Sequence, residues 1–169
     1  MNKYSQLAKQ AISEYLKNDK IIDPPVDFSN TQAGVFVSLH TKSGELRGCI
    51  GTYLPQYSNL AEEIINNAIA AAVQDNRFSP LTLNELENLE IGVDVLSEPV
   101  KVNNLDELDP KKFGVIVKSA GGRSGLLLPN LTGVDTVKKQ LSIACQKAGI
   151  VWPDEQPQIF KFTVERHDN

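Results

Sequence analysis

Residues 35–51 leave the chain little conformational choice. Val35, Val37 and Leu39 alternate with Phe36, Ser38 and His40, and after Ser43-Gly44 the alternation resumes with Leu46, Gly48 and Ile50 against Arg47, Cys49 and Gly51. A period of two is the pattern of a strand, and a Ser-Gly pair between two such runs marks a turn. Directly opposed residues of an antiparallel pair point to the same face. For the apolar residues to share one face, Leu39 must lie opposite Gly48 and Val37 opposite Ile50. That register puts Ser38 opposite Cys49 and His40 opposite Arg47, with Phe36, on the other face.

The rest of the chain supplies helices and further strands. Leu7, Ala8, Ala11, Ile12, Tyr15 and Leu16 recur at helical spacing over about 2–18, and Asp23-Pro24-Pro25 ends that segment. A second helix is expected over 59–74, with adjacent apolar stripes on Leu60, Ile64, Ala68 and Ala72 and on Ala61, Ile65, Ile69 and Val73. Glu62, Glu63, Asn66 and Asn67 are expected on its solvated side. Thr82 and Glu85 have capping-box spacing and open a short helix through Leu86. Ile91, Val93 and Val95 mark a strand, 105–108 a helical turn, and 113–128 a second hairpin turning at Gly121 to Gly125. A last helix spans about 135–148, with Asp135 as N-cap and Gly149 as its stop. Phe160, Phe162 and Val164 alternate in a C-terminal strand. Gly34-Val35-Phe36-Val37 with Ser43-Gly44 echoes Gly114-Val115-Ile116-Val117 with Ser124-Gly125, which leaves an internal duplication and a chance likeness of two glycine-turn hairpins both open. Hairpins without regular strand–helix alternation give an α+β fold, mainly antiparallel sheets flanked by helices.

Composition excludes several classes. The 169 residues carry 17 Lys+Arg against 21 Asp+Glu, a net charge of −4, with basic residues scattered. Nucleic-acid binders carry a basic footprint, so direct nucleic-acid binding is not expected. No run reaches the roughly 18 apolar residues of a membrane helix, and the polar start lacks the apolar core of a signal peptide. A cytoplasmic protein with no membrane association is expected. Two cysteines and two histidines are too few soft ligands for a structural zinc site. No metal and no cofactor are expected, and Cys49 and Cys145 are expected as thiols.

The stretch from Leu46 to Thr52 is the unusual one. Two glycines interrupt a strand, and glycine there often marks a bulge or the close approach of a backbone or ligand. Ser38, His40, Arg47, Gly48, Cys49 and Gly51 are therefore the candidate site. A guanidinium near a thiol favours the thiolate, and Cys with a neighbouring His is one pattern of nucleophilic catalysis. Against this, Cys commonly behaves as a small buried hydrophobe, and Arg47 could simply pair with a carboxylate. The residues complete no catalytic set. A face that holds a ligand or partner is the leading reading, with an enzyme or composite active site using Cys49 and Arg47 as the alternative. Arg77, just past a helix end, is a further candidate, read first as a cap on helix carbonyls and second as an anion ligand. Cys145 lies on an apolar stripe and reads as core, Trp152 as a packing residue, and His167 as solvated. Asp94 has no second ligand at metal spacing.

With those residues in hand, the chain resembles the AMMECR domain family, also described as protein A of the AmmeMemoRadiSam system. Leu46-Arg47-Gly48-Cys49-Ile50-Gly51 stands as that family's signature string. Asp75-Asn76-Arg77-Phe78-Ser79-Pro80-Leu81 is similar to a second segment, which more usually has Pro at the place of Asn76. Gly125-Leu126-Leu127-Leu128-Pro129 and Lys147-Ala148-Gly149-Ile150 resemble two more. The likeness covers about residues 1–165. It implies one AMMECR-like domain over 1–169 with two unequal lobes, the larger holding both termini. It implies work beside Memo-like and radical SAM proteins, and it brings no established reaction or catalytic set.

Overall fold

The computed structural model describes residues 2–28 and 30–168. They divide into two compact units, one running to Leu96 and resuming at Glu165, the other Ser97–Val164. Each unit has its own apolar core.

In the first unit, helix α1 (Lys3–Asn18) starts where the Asn2 side chain accepts the N–H groups of Tyr4 and Ser5, and ends at Asp19 in the left-handed region. Strands β1 (Val35–Thr41) and β2 (Leu46–Thr52) form the hairpin. Helix α2 (Leu60–Val73) follows, capped by Asn59, then the short α3 (Leu83–Leu86) and strand β3 (Leu89–Leu96). The last strand, β8 (Val164–His167), joins the sheet in the order β2-β1-β3-β8. Val35, Val37, Leu39, Ile91 and Val93 pack one sheet face against α1 and α2, all almost fully buried. β2 is an edge strand.

The second unit repeats the order. Strands β5 (Gly114–Lys118) and β6 (Ser124–Leu127) form a hairpin, then helix α4 (Val137–Ala148) and strand β7 (Gln158–Phe162). The two-residue β4 (Val100–Lys101) completes a sheet ordered β4-β7-β5-β6. In both units the third strand lies antiparallel beside the first strand of the hairpin. α4 buries Leu141, Ala144 and Cys145 against β5 and β6.

Four expectations change. The C-terminal strand is two strands, one in each sheet, divided at Thr163. The cap of α4 is Thr136, which accepts the Lys139 N–H, while Asp135 pairs with Lys111 at 2.6 Å. His167 is not solvated: its side chain is 15% exposed and its ring stacks on Tyr4 at 4.0 Å. Glu63 and Asn67 do not face solvent, being 0% and 5% exposed. α2 is apolar over so much of its circumference that little solvated face remains.

Candidate functional site

The hairpin register pairs Leu39 with Gly48, Val37 with Ile50 and Ser38 with Cys49. Those three pairings match the expectation, but the fourth does not. A bulge after Leu39 sets His40 opposite Leu46, and Arg47 becomes the extra residue. A bulge re-aims the side chain it carries. Arg47 therefore leaves the Cys49 face: its Nε donates to Glu85 Oε1 and an Nη to the Ser79 carbonyl, both at 3.0 Å, and its side chain is only 15% exposed. Glu85 also accepts from Thr82, closing the capping box of α3. Its carboxyl is held below the usual range first by the Thr82 N–H, with burial opposing, then by the Thr82 hydroxyl and Arg47.

The glycines have a different reason from ligand access. A Cβ at Gly48 would run into the carbonyl oxygen of Ala71, so α2 lies backbone-to-backbone on β2 there. At Gly51 a Cβ would meet the Phe36 ring. Both spaces are filled by the protein itself.

Cys49 is the centre of what remains. Its N–H and C=O point away from β1, as befits an edge strand whose outer groups need partners. Asp75 Oδ2 accepts the Cys49 N–H at 2.9 Å, and Arg77 donates to the Cys49 carbonyl at 3.2 Å. Asp75 and Arg77 pair with each other at 2.7 and 2.9 Å. Arg77 thus caps a strand carbonyl and not the carbonyls ending α2. It holds the Asp75 carboxyl far below the usual range, against the opposing effect of burial; the Cys49 and Arg77 N–H groups add to the shift. Asp75 in turn keeps Arg77 protonated more strongly than an ordinary guanidinium, against the opposing effect of burial. The Asp75 side chain is 4% exposed, but that of Arg77 is 54% exposed. Both guanidiniums lie over the Phe78 ring, Arg77 at 5.5 Å and Arg47 at 6.0 Å from its centre, at the reach of cation–π attraction.

Sequence spacing thus separates what the fold joins: residues 75–81 lie against the hexapeptide of β2. The result is a half-buried thiol beside a half-exposed guanidinium. His40 is elsewhere, lining a small cavity of about 240 Å³ with Glu90, Gly92 and Asp168. Ser38 shares the Cys49 face, next to Gly92. Neither cysteine is in a disulfide. Cys145 is fully buried, and burial pushes its thiol pKa up. Among the described residues no cluster of three His, Cys, Asp or Glu side chains could hold a metal, and no helix is long and apolar enough to cross a membrane.

Glu63 is the important residue that the sequence pattern missed. Its buried carboxylate accepts from the Thr52 hydroxyl and from the N–H groups of Gln56 and Tyr57 at 2.8 and 3.0 Å. It ties the loop after β2 to the start of α2. The available signal was its i, i+4 spacing to Asn67 on a helix with almost no polar side.

The family model described as AMMECR1 matches residues 5–167. This chain belongs to the AMMECR1 family. It is 51% identical over 168 residues to a protein of Thermotoga maritima, covering 97% of this chain and 96% of that one. It is 47% identical over 169 residues to a Clostridium acetobutylicum protein, where the match spans 97% of this chain and 35% of the longer one. The crystal structure of the uncharacterised protein PH0010 from Pyrococcus horikoshii has the same fold, with a TM-score of 0.89 and 37% identity over 98% of this chain and 89% of that one. The α+β architecture, two antiparallel four-stranded sheets with helices, is thus the AMMECR1 fold.

Proposed function

We propose that the chain is an accessory module that holds a partner or ligand along the outer edge of β2, at Cys49 and Arg77. The carrying observation is the Asp75–Arg77 clamp on the Cys49 backbone, which fixes a thiol beside a guanidinium that still faces solvent. An exposed guanidinium on a rigid support recognises carboxylate or phosphate with geometric precision. The partners are Memo-like and radical SAM proteins. In support, the domain of the Clostridium acetobutylicum relative shares its chain with additional sequence, as a module that works with other proteins would.

A second reading, with Cys49 as a nucleophile in a composite active site, rests on the Arg77 guanidinium bonded to the Cys49 carbonyl at 3.2 Å, a cation close enough to favour a thiolate. One experiment separates the two. Alkylation of native protein reads Cys49, since Cys145 is buried. A module docked through this edge gives Cys49 an ordinary alkylation pH profile and at least tenfold protection on adding purified Memo-like or radical SAM protein. Undiminished alkylation with both proteins present contradicts the proposal. A profile that titrates well below the free thiol value of about 8.5 moves the nucleophile reading forward.

A further inference from the structure

We propose a second, separate site in the second unit: a cleft that binds a purine nucleoside monophosphate as a free small molecule. The cleft is about 570 Å³, within the range of small-molecule sites, roughly 300–1,000 Å³. Trp152 and Leu105 supply apolar wall, and Trp152 is itself braced against the core of this unit. The polar wall is made of four carboxamides, Asn103, Asn104, Gln156 and Gln158, with Lys101 as the charged group; the Asn104 oxygen already accepts the Asp106 N–H. Gln156 has a φ of 45°, a conformation L side chains rarely adopt. Its N–H bonds the Pro153 carbonyl at 3.1 Å, which pins the turn in that state. Residues held in such conformations cluster at ligand clamps. Among the described residues, the side chains of Gln156, Gln158 and Lys101 have no protein hydrogen-bond partner, so their capacity faces the cleft and solvent.

The wall selects its ligand by chemistry. It carries no carboxylate, so a cation would find no counter-charge there. Carboxamides present a donor and an acceptor side by side, which matches the N6/N7 edge of adenine. An indole gives a base a face to stack on. The single ammonium at Lys101 suits one phosphate. A neutral sugar would use the carboxamides and leave Lys101 idle. A polymer is disfavoured by the net charge of −4.

Trp152 is the chain's one tryptophan, so intrinsic fluorescence reads this cleft and nothing else. The whole chain is titrated with AMP, adenosine and glucose, exciting beyond the adenine absorption band. Saturable quenching by AMP is expected, with no response to glucose. Lys101→Ala is expected to weaken AMP about tenfold, the loss of one charge-assisted bond, and to leave adenosine unchanged. Gln158→Ala is expected to weaken both. Lys101 and Gln158 are exposed, so both variants should fold. Absence of saturable quenching at millimolar AMP overturns the proposal. So does quenching by AMP that neither variant weakens, or a response to glucose in place of AMP.

Discussion

The two units build the same hairpin–helix–strand unit and finish it differently. In both, a glycine on the second hairpin strand lets a helix settle backbone-to-backbone on the sheet, Gly48 on Ala71 and Gly125 on Ala144. In both, the carbonyl of the next residue accepts from a basic side chain, Cys49 from Arg77 at 3.2 Å and Leu126 from Lys147 at 2.8 Å. Those features are architecture. The first unit adds Asp75 on the Cys49 N–H, the Phe78 ring under two guanidiniums and the buried Glu63 behind the loop. What the units do not share is where function is to be sought. Gly48 and the Arg77 bond to the Cys49 carbonyl belong to the shared part, and the Cys49 thiol with the Asp75–Arg77 pair beside it to the other.

Gly48→Val and Gly125→Val break the shared feature and should be the most damaging changes. Each forces a side chain into a helix carbonyl, at a cost of about 3 kcal/mol or more. For a chain of this length that lowers the melting temperature by roughly 6–12 °C. Similar losses for both would confirm the equivalence; a tolerated Gly125→Val would end it. Glu63→Ala strips acceptors from the Gln56 and Tyr57 N–H groups and should cost about 2–3 kcal/mol in urea unfolding. In the second unit the buried polar side chain of α4 is Gln140, which donates to the Phe113 carbonyl.

Asp75→Asn sharpens the difference through pH. The folded-state pKa of Asp75 is depressed, so its contribution is complete above the unfolded value of about 3.9 and is lost as pH falls through the folded value. The variant should be about 2 kcal/mol less stable than wild type at pH 7. The gap should narrow as pH drops below about 4. A gap independent of pH would mean that the carboxylate charge is not what holds Cys49. Lys147→Ala is the mildest change, about 0.5–1 kcal/mol, because it removes one exposed bond to a carbonyl.

Strand alternation and the turn at Gly44 made the hairpin legible, and apolar faces made α1, α2 and α4 legible, because period and burial are local properties of a sequence. The register of Ser38, Leu39 and Val37 followed for the same reason. His40 and Arg47 did not, since a bulge is decided by what the displaced side chain reaches, here Glu85 and Ser79, almost forty and over thirty residues away. The clamp on Cys49 was hidden likewise: Asp75 and Arg77 read as a loop just past a helix until the fold lays them along an edge strand. Glu63 was misplaced because a helix pattern gives a polar side, not whether something covers it.

Arg77 and Lys147 make the same bond to the same kind of carbonyl, so comparing them isolates function from architecture. The decisive measurement is the affinity of the purified Memo-like and radical SAM proteins for wild type, Arg77→Ala and Lys147→Ala, each checked by its melting curve. Loss of at least tenfold with Arg77→Ala, and wild-type affinity with Lys147→Ala, is the expected result. Equal binding by all three proteins, or no binding of either partner to the wild type, would contradict the assignment of the β2 edge as the site.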